Sequence, residues 1–176
     1  MKAVFHYLNL KYISRFFSAI AVFCVLTSCE DQVKFNNPAV QALKDNVLWS
    51  STLFTAVQSS DGSLTIEAYQ KNDILTLKTG SIETKTYILG DNDINKVELV
   101  TTKGDDATVF STSENIGNGQ IIIKEVDAAN HTITGEFKFN AKNESADPLA
   151  VKSVSFTKGI FYRVPVTIEA GVTKNF

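Results

Sequence analysis

The chain has 176 residues, with 17 basic and 19 acidic side chains, and 44% of its residues are hydrophobic. This length leaves room for one ordinary domain with a sizeable core after a short leader. Residues 1–28 hold three basic residues and no acid, so the remaining 148 residues carry a formal charge of −5. A surface of that sign argues against a nucleic-acid partner.

The N-terminus has the pattern of a secretion signal. Its basic residues precede the apolar run 16–26, which is too short to cross a bilayer, since a spanning helix needs about 20 residues. The next feature has the form of a lipobox and comprises Leu26, Thr27, Ser28 and Cys29. The sequence therefore predicts a signal peptide over 1–28 and a lipid thioether on Cys29. The alternative is an uncleaved apolar segment with an incidental cysteine.

An acidic pair, Glu30 and Asp31, follows the predicted lipidation site. The pair resembles the export tag that sends some Bacteroidota lipoproteins to the outer face of the outer membrane, and the alternative is a solvated tether. We expect a flexible tether over 29–37 and an outer-membrane protein, held by its lipid anchor and facing the periplasm or the cell surface. Cys24 falls within the signal, so Cys29 stands alone and no disulfide framework is possible.

The first element of the domain is predicted to be helical. Asn37 and Pro38 have the form of an N-cap followed by proline at the first helical position. Val40, Leu43 and Val47 are spaced for one apolar stripe. We therefore predict a short helix over roughly residues 38–44.

From Trp49 onward the hydrophobic period is two, which is typical of strands. Asp61 and Gly62 predict a hairpin turn between the first two strands. The predicted strands are 49–58, 63–70, 74–79, 85–89, 97–101, 108–112, 120–127, 132–141, 151–158 and 160–168. About ten short strands without intervening helices predict a single antiparallel β-sandwich or barrel over 38–176, and the pattern leaves both open.

The clearest alternation lies between residues 132 and 141. The side chains predicted to face inward are Ile133, Gly135, Phe137, Phe139 and Ala141. In the last strand a single face is predicted to hold Ile160, Tyr162, Val164 and Val166. Pro165 cannot donate to a ladder, so we expect that strand to lie at a sheet edge or to end there.

Several blocks of the sequence resemble a family of uncharacterised Bacteroidota lipoproteins of the flavobacterial type. The blocks are 34–38, 42–45 with Trp49, 61–66, 134–139 and 159–162. The resemblance implies the order lipobox, Asn-Pro helix and β-rich domain of unknown function. It covers essentially the whole chain after the signal, but its motifs are structural, so it implies no activity, cofactor or site residue.

Few residues are suited to catalysis or to metal binding. His131 is the one histidine after the signal, and its place in a predicted turn favours an exposed turn residue over a catalytic base. The segment 91–95 resembles the opening of a calcium loop, but Lys96 replaces the loop glycine and Thr102 the bidentate glutamate. We therefore expect an ordinary Asx turn, no metal and no cofactor.

Carboxylates remain as possible acids and bases. Those on or near predicted strands are Glu67, Glu83, Glu98, Glu125 and Glu136, and nothing in the sequence selects a pair. Tyr69 is predicted on an outward face, where its ring could stack on a sugar or a partner protein. We expect a monomeric, membrane-anchored binding module, not an enzyme, that contacts a glycan or an envelope protein. The alternative is a carboxylate-dependent glycan hydrolase.

Overall fold

The computed structural model describes residues 39–51, 53–145 and 149–169. The predicted signal peptide, lipobox, lipidation site and export tag lie outside these residues. All the described residues belong to one compact unit, Phe35–Phe176. Its strands are β1 (Ala39–Lys44), β2 (Val47–Ser51), β3 (Leu53–Gln58), β4 (Leu64–Gln70), β5 (Asp73–Thr79), β6 (Thr86–Leu89), β7 (Lys96–Lys103), β8 (Asp106–Ser111), β9 (Asn118–Asp127), β10 (Thr132–Asn143) and β11 (Ser153–Ile168). Within this described part no helix could span a bilayer.

The strands form one sheet that closes on itself. Six strands follow the order β2-β1-β11-β10-β9-β6, and the other five follow β3-β4-β5-β7-β8. A short parallel ladder between β11 and β3 joins the two halves at one junction, and a short antiparallel ladder between β10 and β8 joins them at the other. The fold is therefore sandwich-like, with a continuous sheet around one core.

The predicted helix over 38–44 is wrong. Ala39–Lys44 instead form β1, which lies between β2 and β11 in the sheet. Val40 and Ala42 are buried at alternating positions, with half-buried neighbours between them. β1 pairs with a strand on each side and is buried with a period of two. This pairing and burial therefore prevail over the helical spacing of the apolar residues.

Two tight turns follow local sequence. Asp45 and Asn46 both have positive φ, 48° and 67°, and reverse the chain from β1 into β2. The predicted hairpin around Gly62 is confirmed between β3 and β4, and its φ of 85° suits glycine. Trp49, however, lies in β2 and pairs with β1, so the hairpin strand begins only at Leu53.

The predicted inward face of β10 is confirmed. Phe137 and Phe139 are only 2% and 3% exposed. The Phe139 ring stacks on Phe156 of β11 with centroids 4.8 Å apart, and Trp49 of β2 meets Phe156 edge-on at 5.6 Å. This aromatic cluster fills the core on the six-stranded side, where rings in offset and edge contacts add to the burial of their area.

Two glycines make room for aromatic rings across β10 and β11. Gly135 pairs with Phe161, and Phe137 pairs with Gly159. A Cβ on Gly135 would lie 2.2 Å from the Phe161 ring, and one on Gly159 would lie 2.5 Å from the Phe137 ring. Each ring therefore occupies the space that a side chain on the opposite strand would fill.

A nearly buried carboxylate ties β1 and β2 to the five-stranded half. Asp73, at the start of β5, accepts hydrogen bonds from Lys44 Nζ at 2.6 Å and Trp49 Nε1 at 3.0 Å. Its other oxygen accepts the Thr101 hydroxyl at 2.7 Å. A carboxylate so far from water needs such donors, and here strands from both halves of the sheet supply them.

Candidate functional site

Two bulges interrupt β11 and give the outer face of β9, β10 and β11 its shape. Between Ile133 and Gly135, β10 advances by two residues while β11 covers three, and the extra residue is Arg163. A second irregularity of the same kind places an extra residue near Lys158. Both basic residues have positive φ, 48° and 51°, which is costly for a side chain with a Cβ.

Because of the bulge at Arg163, the apolar side chains of the last strand do not share the one face predicted for them. Tyr162 is half-buried on the outer face, whereas Val164 is completely buried and Val166 is 7% exposed. Because the extra residue at Arg163 reverses the alternation, side chains on its two sides face opposite ways. The prediction of one shared face for all four apolar residues is therefore wrong.

The predicted edge position of the last strand is also wrong, because β11 pairs along both of its edges. The Val166 amide donates to the His131 carbonyl, so the preceding Pro165 nitrogen faces the opposite edge. There Tyr162 is the last residue paired with β1, and Val166 is the first paired with β3. Pro165 is tolerated because β11 changes partner at that point.

One concavity forms at the Arg163 bulge, which we call the arginine pocket. It measures about 220 Å³ and is lined by Glu125, Asp127, Thr132, Thr134, Tyr162 and Arg163. Carboxylates, hydroxyls, a phenol and a guanidinium thus come together from three adjacent strands. Such a set offers both donors and acceptors to a polyhydroxylated ligand.

A second concavity forms at the Lys158 bulge, which we call the lysine pocket. It measures about 370 Å³ and is lined by Gln120, Ile122, Glu136, Phe137, Lys138, Lys158, Gly159 and Ile160. Ile122 and Ile160 both pair with Glu136 and give the pocket an apolar floor. Glu136 forms an ion pair with exposed Lys124 of β9.

The two pockets lie along one face of the sheet, next to each other on β9, β10 and β11. Outward positions of β10 line both of them, at Thr132 and Thr134 in the first and at Glu136 and Lys138 in the second. Six residue steps along an extended strand span about 20 Å. We call this surface the two-bulge groove, and its length suits an extended ligand rather than a compact one.

The phenol ring of Tyr162 has small neighbours on both flanks. Ala39 of β1 pairs with it, and Thr134 of β10 lies on the other side and accepts the Arg163 amide at 3.1 Å. Tyr162 is half-buried, so part of this residue remains accessible beside these small neighbours. An aromatic face beside polar side chains is suited to the C–H face of a sugar.

The two carboxylates of the arginine pocket differ in their partners. Asp127 accepts the Asn130 side chain at 2.6 Å and the amides of Ala129 and Asn130 at 3.0 Å. The hydrogen bond from the Asn130 side chain lowers the pKa of Asp127 most, and the nearby charge of Arg163 contributes. Asp127 is therefore ionised and orders the β9–β10 turn, while Glu125 lines the pocket one position further along the same face.

The other predicted carboxylates are scattered. Glu67 accepts the hydroxyl of Tyr69 on the outer face of β4, and Glu83 pairs with Lys85 at 2.6 Å in the β5–β6 connection. Glu98 lies on β7, in the same row of the sheet as Glu67. None of these three lines the two-bulge groove.

Tyr69 faces outward as predicted, but on the half opposite the groove. It belongs to an apolar row across five strands, made of Leu53, Tyr69, Ile74, Val100 and Val109. The hydrogen bond to Glu67 raises the pKa of Tyr69, because the carboxylate accepts from the neutral phenol.

The calcium-like segment folds as an Asx turn, as expected. Asn92 Oδ1 accepts the amides of Ile94 at 3.0 Å and Asn95 at 3.1 Å, while Asp93 accepts the Glu114 amide. These oxygens are thus engaged with backbone donors. Among the described residues, no three His, Cys, Asp or Glu side chains are grouped to hold a metal ion.

His131 lies in the β9–β10 turn, as predicted, with φ of 51°. The residues that sequence reasoning missed are Lys158 and Arg163, which line the two pockets at the two bulges. Their one sequence signal is weak: Lys158 precedes a glycine, and Arg163 is the single arginine after residue 28, two positions before a proline. Neither feature by itself predicts a bulge.

Comparison of the chain with known families matches residues 36–165 to a domain of unknown function (DUF6252). The match spans every strand that forms the groove except the last three residues of β11. Neither curated proteins nor solved structures give a significant match.

Proposed function

This chain belongs to the DUF6252 family, and we propose that it is a lipid-anchored, extracytoplasmic binding module whose two-bulge groove takes an extended glycan. The observation that carries the proposal is the groove itself. The strands of the five-stranded half pair in regular register. On the face of the groove, by contrast, two strained bulges accompany a concave surface. Backbone strain of this kind concentrates at functional sites.

A glycan fits the chemistry of the groove better than a compact metabolite does. Sugars present many hydroxyls, each of which donates and accepts hydrogen bonds, and apolar C–H faces between them. The groove supplies hydroxyls, carboxylates and cations along its walls, with the Tyr162 ring and the Ile122 and Ile160 side chains as apolar surface.

The anchor is proposed from the sequence. Leu26 to Ser28 and Cys29 have the form of a lipobox, and the acidic residues after it resemble a surface-export tag. Two or three acyl chains on one cysteine hold a protein at a bilayer permanently, because each buried CH₂ contributes about 0.8 kcal/mol. We place the protein at the outer membrane, facing the periplasm or the cell surface.

Metabolic labelling with a fatty-acid probe tests the anchor. The wild-type protein should incorporate the probe, and Cys29→Ser should not, because the hydroxyl cannot replace the thiolate as acyl acceptor. Label in the mutant protein would show that the lipobox assignment is wrong.

A glycan array probed with the detergent-solubilised mature protein tests the binding function. We expect at least one class of oligosaccharide to bind, with affinity lowered roughly tenfold by Tyr162→Ala. Tyr69→Ala is the matched control, since it removes an outward tyrosine from the opposite half. Absence of binding, or equal effects of the two substitutions, would contradict the proposal.

One observation favours a second candidate, a glycan hydrolase: Glu125 and Asp127 line the same pocket. Two features count against it. The residues are two positions apart on one strand, whereas hydrolysis needs carboxylates on both sides of the scissile bond. The lowered pKa of Asp127 also opposes a role as general acid. Release of reducing ends from a bound oligosaccharide, abolished by Glu125→Gln, would favour the hydrolase over the binding module.

A further inference from the structure

The lysine pocket has a net positive charge, although the chain as a whole is acidic. Lys138 of β10 and Lys158 of β11 both line it, opposite each other at the second bulge. Both side chains are exposed at the rim of the pocket. The third nearby lysine, Lys124, is paired with Glu136, so these two charges offset each other.

Lys138 and Lys158 form no ion pair with another described residue. On a chain of formal charge −2, a concavity that holds two uncompensated cations is an exception to the average surface. Such a local field attracts anions and repels cations, so it selects ligands by charge.

The backbone at Lys158 adopts a strained conformation at the edge of this pocket. Its φ of 51° lies in the left-handed region, where glycine has no steric cost and a residue with a Cβ is strained. Glycine stands at the next position, 159, where it receives the Phe137 ring. A lysine with a strained backbone thus lines the pocket beside a glycine.

The floor of the pocket has an aliphatic side chain on each side of Glu136. Ile122 and Ile160 are half-buried and flank Glu136 on the two neighbouring strands. A ligand that meets both the cations and the floor has an anionic group at the edge of an apolar face. A uronic acid has this form, with a carboxylate at one corner of a sugar ring whose C–H groups form a face.

We propose that the lysine pocket binds a uronate residue of an extended acidic glycan, with its carboxylate between Lys138 and Lys158 and its ring over Ile160. This inference rests on the proposed glycan-binding function and names the class of glycan. Charge-assisted hydrogen bonds from two ammonium groups favour an anionic ligand over a neutral one. Because both lysines are exposed, solvent limits the size of this preference.

The test compares oligogalacturonate with its methyl ester, which keeps the backbone and removes the charge. Calorimetry on the mature protein in detergent should give roughly tenfold tighter binding of the acid at low ionic strength, a difference that shrinks as salt is added. The double variant Lys138→Gln with Lys158→Gln should bind acid and ester equally, at the affinity that wild type has for the ester.

Two further variants serve as controls. Lys142→Gln removes an exposed lysine from the same strand outside the pocket and should leave the preference for the acid unchanged. Lys158→Arg keeps the charge and should retain most of the preference. Equal binding of acid and ester by wild type would overturn the uronate inference and leave glycan binding intact. Binding of neither would overturn the inference, and a glycan array without any bound oligosaccharide would overturn the proposed function as well.

Discussion

The two outer faces of this closed sheet are both built from β-strands, and they differ in how regularly those strands pair. On the five-stranded half, every ladder between neighbouring strands runs without a register shift. On the six-stranded half, the two ladders that join β9 to β10 and β10 to β11 contain three shifts, and two of them place basic residues in left-handed backbone. The regular half shows a row of apolar residues, and the irregular half shows a groove.

The arginine and lysine pockets form where the strand pairing is irregular, not where the composition differs. Both faces hold a tyrosine, carboxylates and lysines. On the regular face these side chains stand in rows, with Tyr69 bonded to its neighbour Glu67. On the bulged face the extra residues bend the strand and redirect side chains, so that groups from three strands converge.

The largest effect we expect is in the core beneath the groove. Phe137→Ala should lower the free energy of unfolding by about 3–5 kcal/mol, because the ring is nearly fully buried and its loss leaves a cavity beside Phe139 and Phe156. Urea denaturation of the mature protein measures the change.

Glu136→Ala is the matched control on the adjacent, outward position. Both side chains of its ion pair with Lys124 are exposed. We therefore expect the free energy of unfolding to change by no more than about 0.5 kcal/mol. If Phe137→Ala were as mild as Glu136→Ala, the inward face of β10 and the core built on it would be wrong.

A smaller effect should appear at the first bulge. Arg163→Gly should raise the free energy of unfolding by about 0.5 kcal/mol, because glycine adopts a φ of 48° without steric strain. Arg163→Ala should give no such gain.

A substitution by glycine on the regular face should have the opposite effect on the free energy of unfolding. Thr76 lies in the middle of β5, so Thr76→Gly should lower stability by about 1 kcal/mol. Thermal or urea denaturation of both variants makes the comparison. A destabilised Arg163→Gly would mean that the bulge stores no strain, and the argument from strain to function would fail.

The smallest effect concerns ionisation on the regular face. The Glu67 carboxylate holds the pKa of Tyr69 above its ordinary value, so this hydrogen bond contributes stability below the ordinary tyrosine pKa and loses it as the pH rises through the raised value. Glu67→Ala should lower the pKa of Tyr69 toward its usual range, because the hydrogen bond to Glu67 is the largest cause of the shift. Spectrophotometric titration, with Tyr69→Phe to identify the signal, measures the shift, and an unchanged pKa in Glu67→Ala would contradict the assignment.

Sequence patterns predicted the regular parts of the fold and failed at the irregular ones. The strict alternation around Phe137 and the turn at Gly62 are local signals, and both are confirmed. The strand β1 was missed because Asn-Pro and a helical spacing are local features, whereas its pairing with β11 joins segments more than 100 residues apart. Tertiary pairing prevails over such short-range preference.

The groove could not be predicted for a related reason. A bulge depends on how two strands register, and a single sequence shows only one strand at a time. Treating β11 as regular placed Tyr162 and Val164 on one face, and it left Lys158 and Arg163 without a role. The carboxylate Glu125 was among the predicted candidates, but only the ladder between β9 and β10 brings it to the pocket.

The most direct test of the account maps ligand contacts on the two faces at once. Amide chemical shifts of isotope-labelled mature protein would be followed during titration with oligogalacturonate. We expect shifts concentrated at outward positions of β9, β10 and β11, including Thr134, Lys138 and Tyr162, with little change around Tyr69 and Ile74. Shifts concentrated on the regular face, with the groove unchanged, would contradict it.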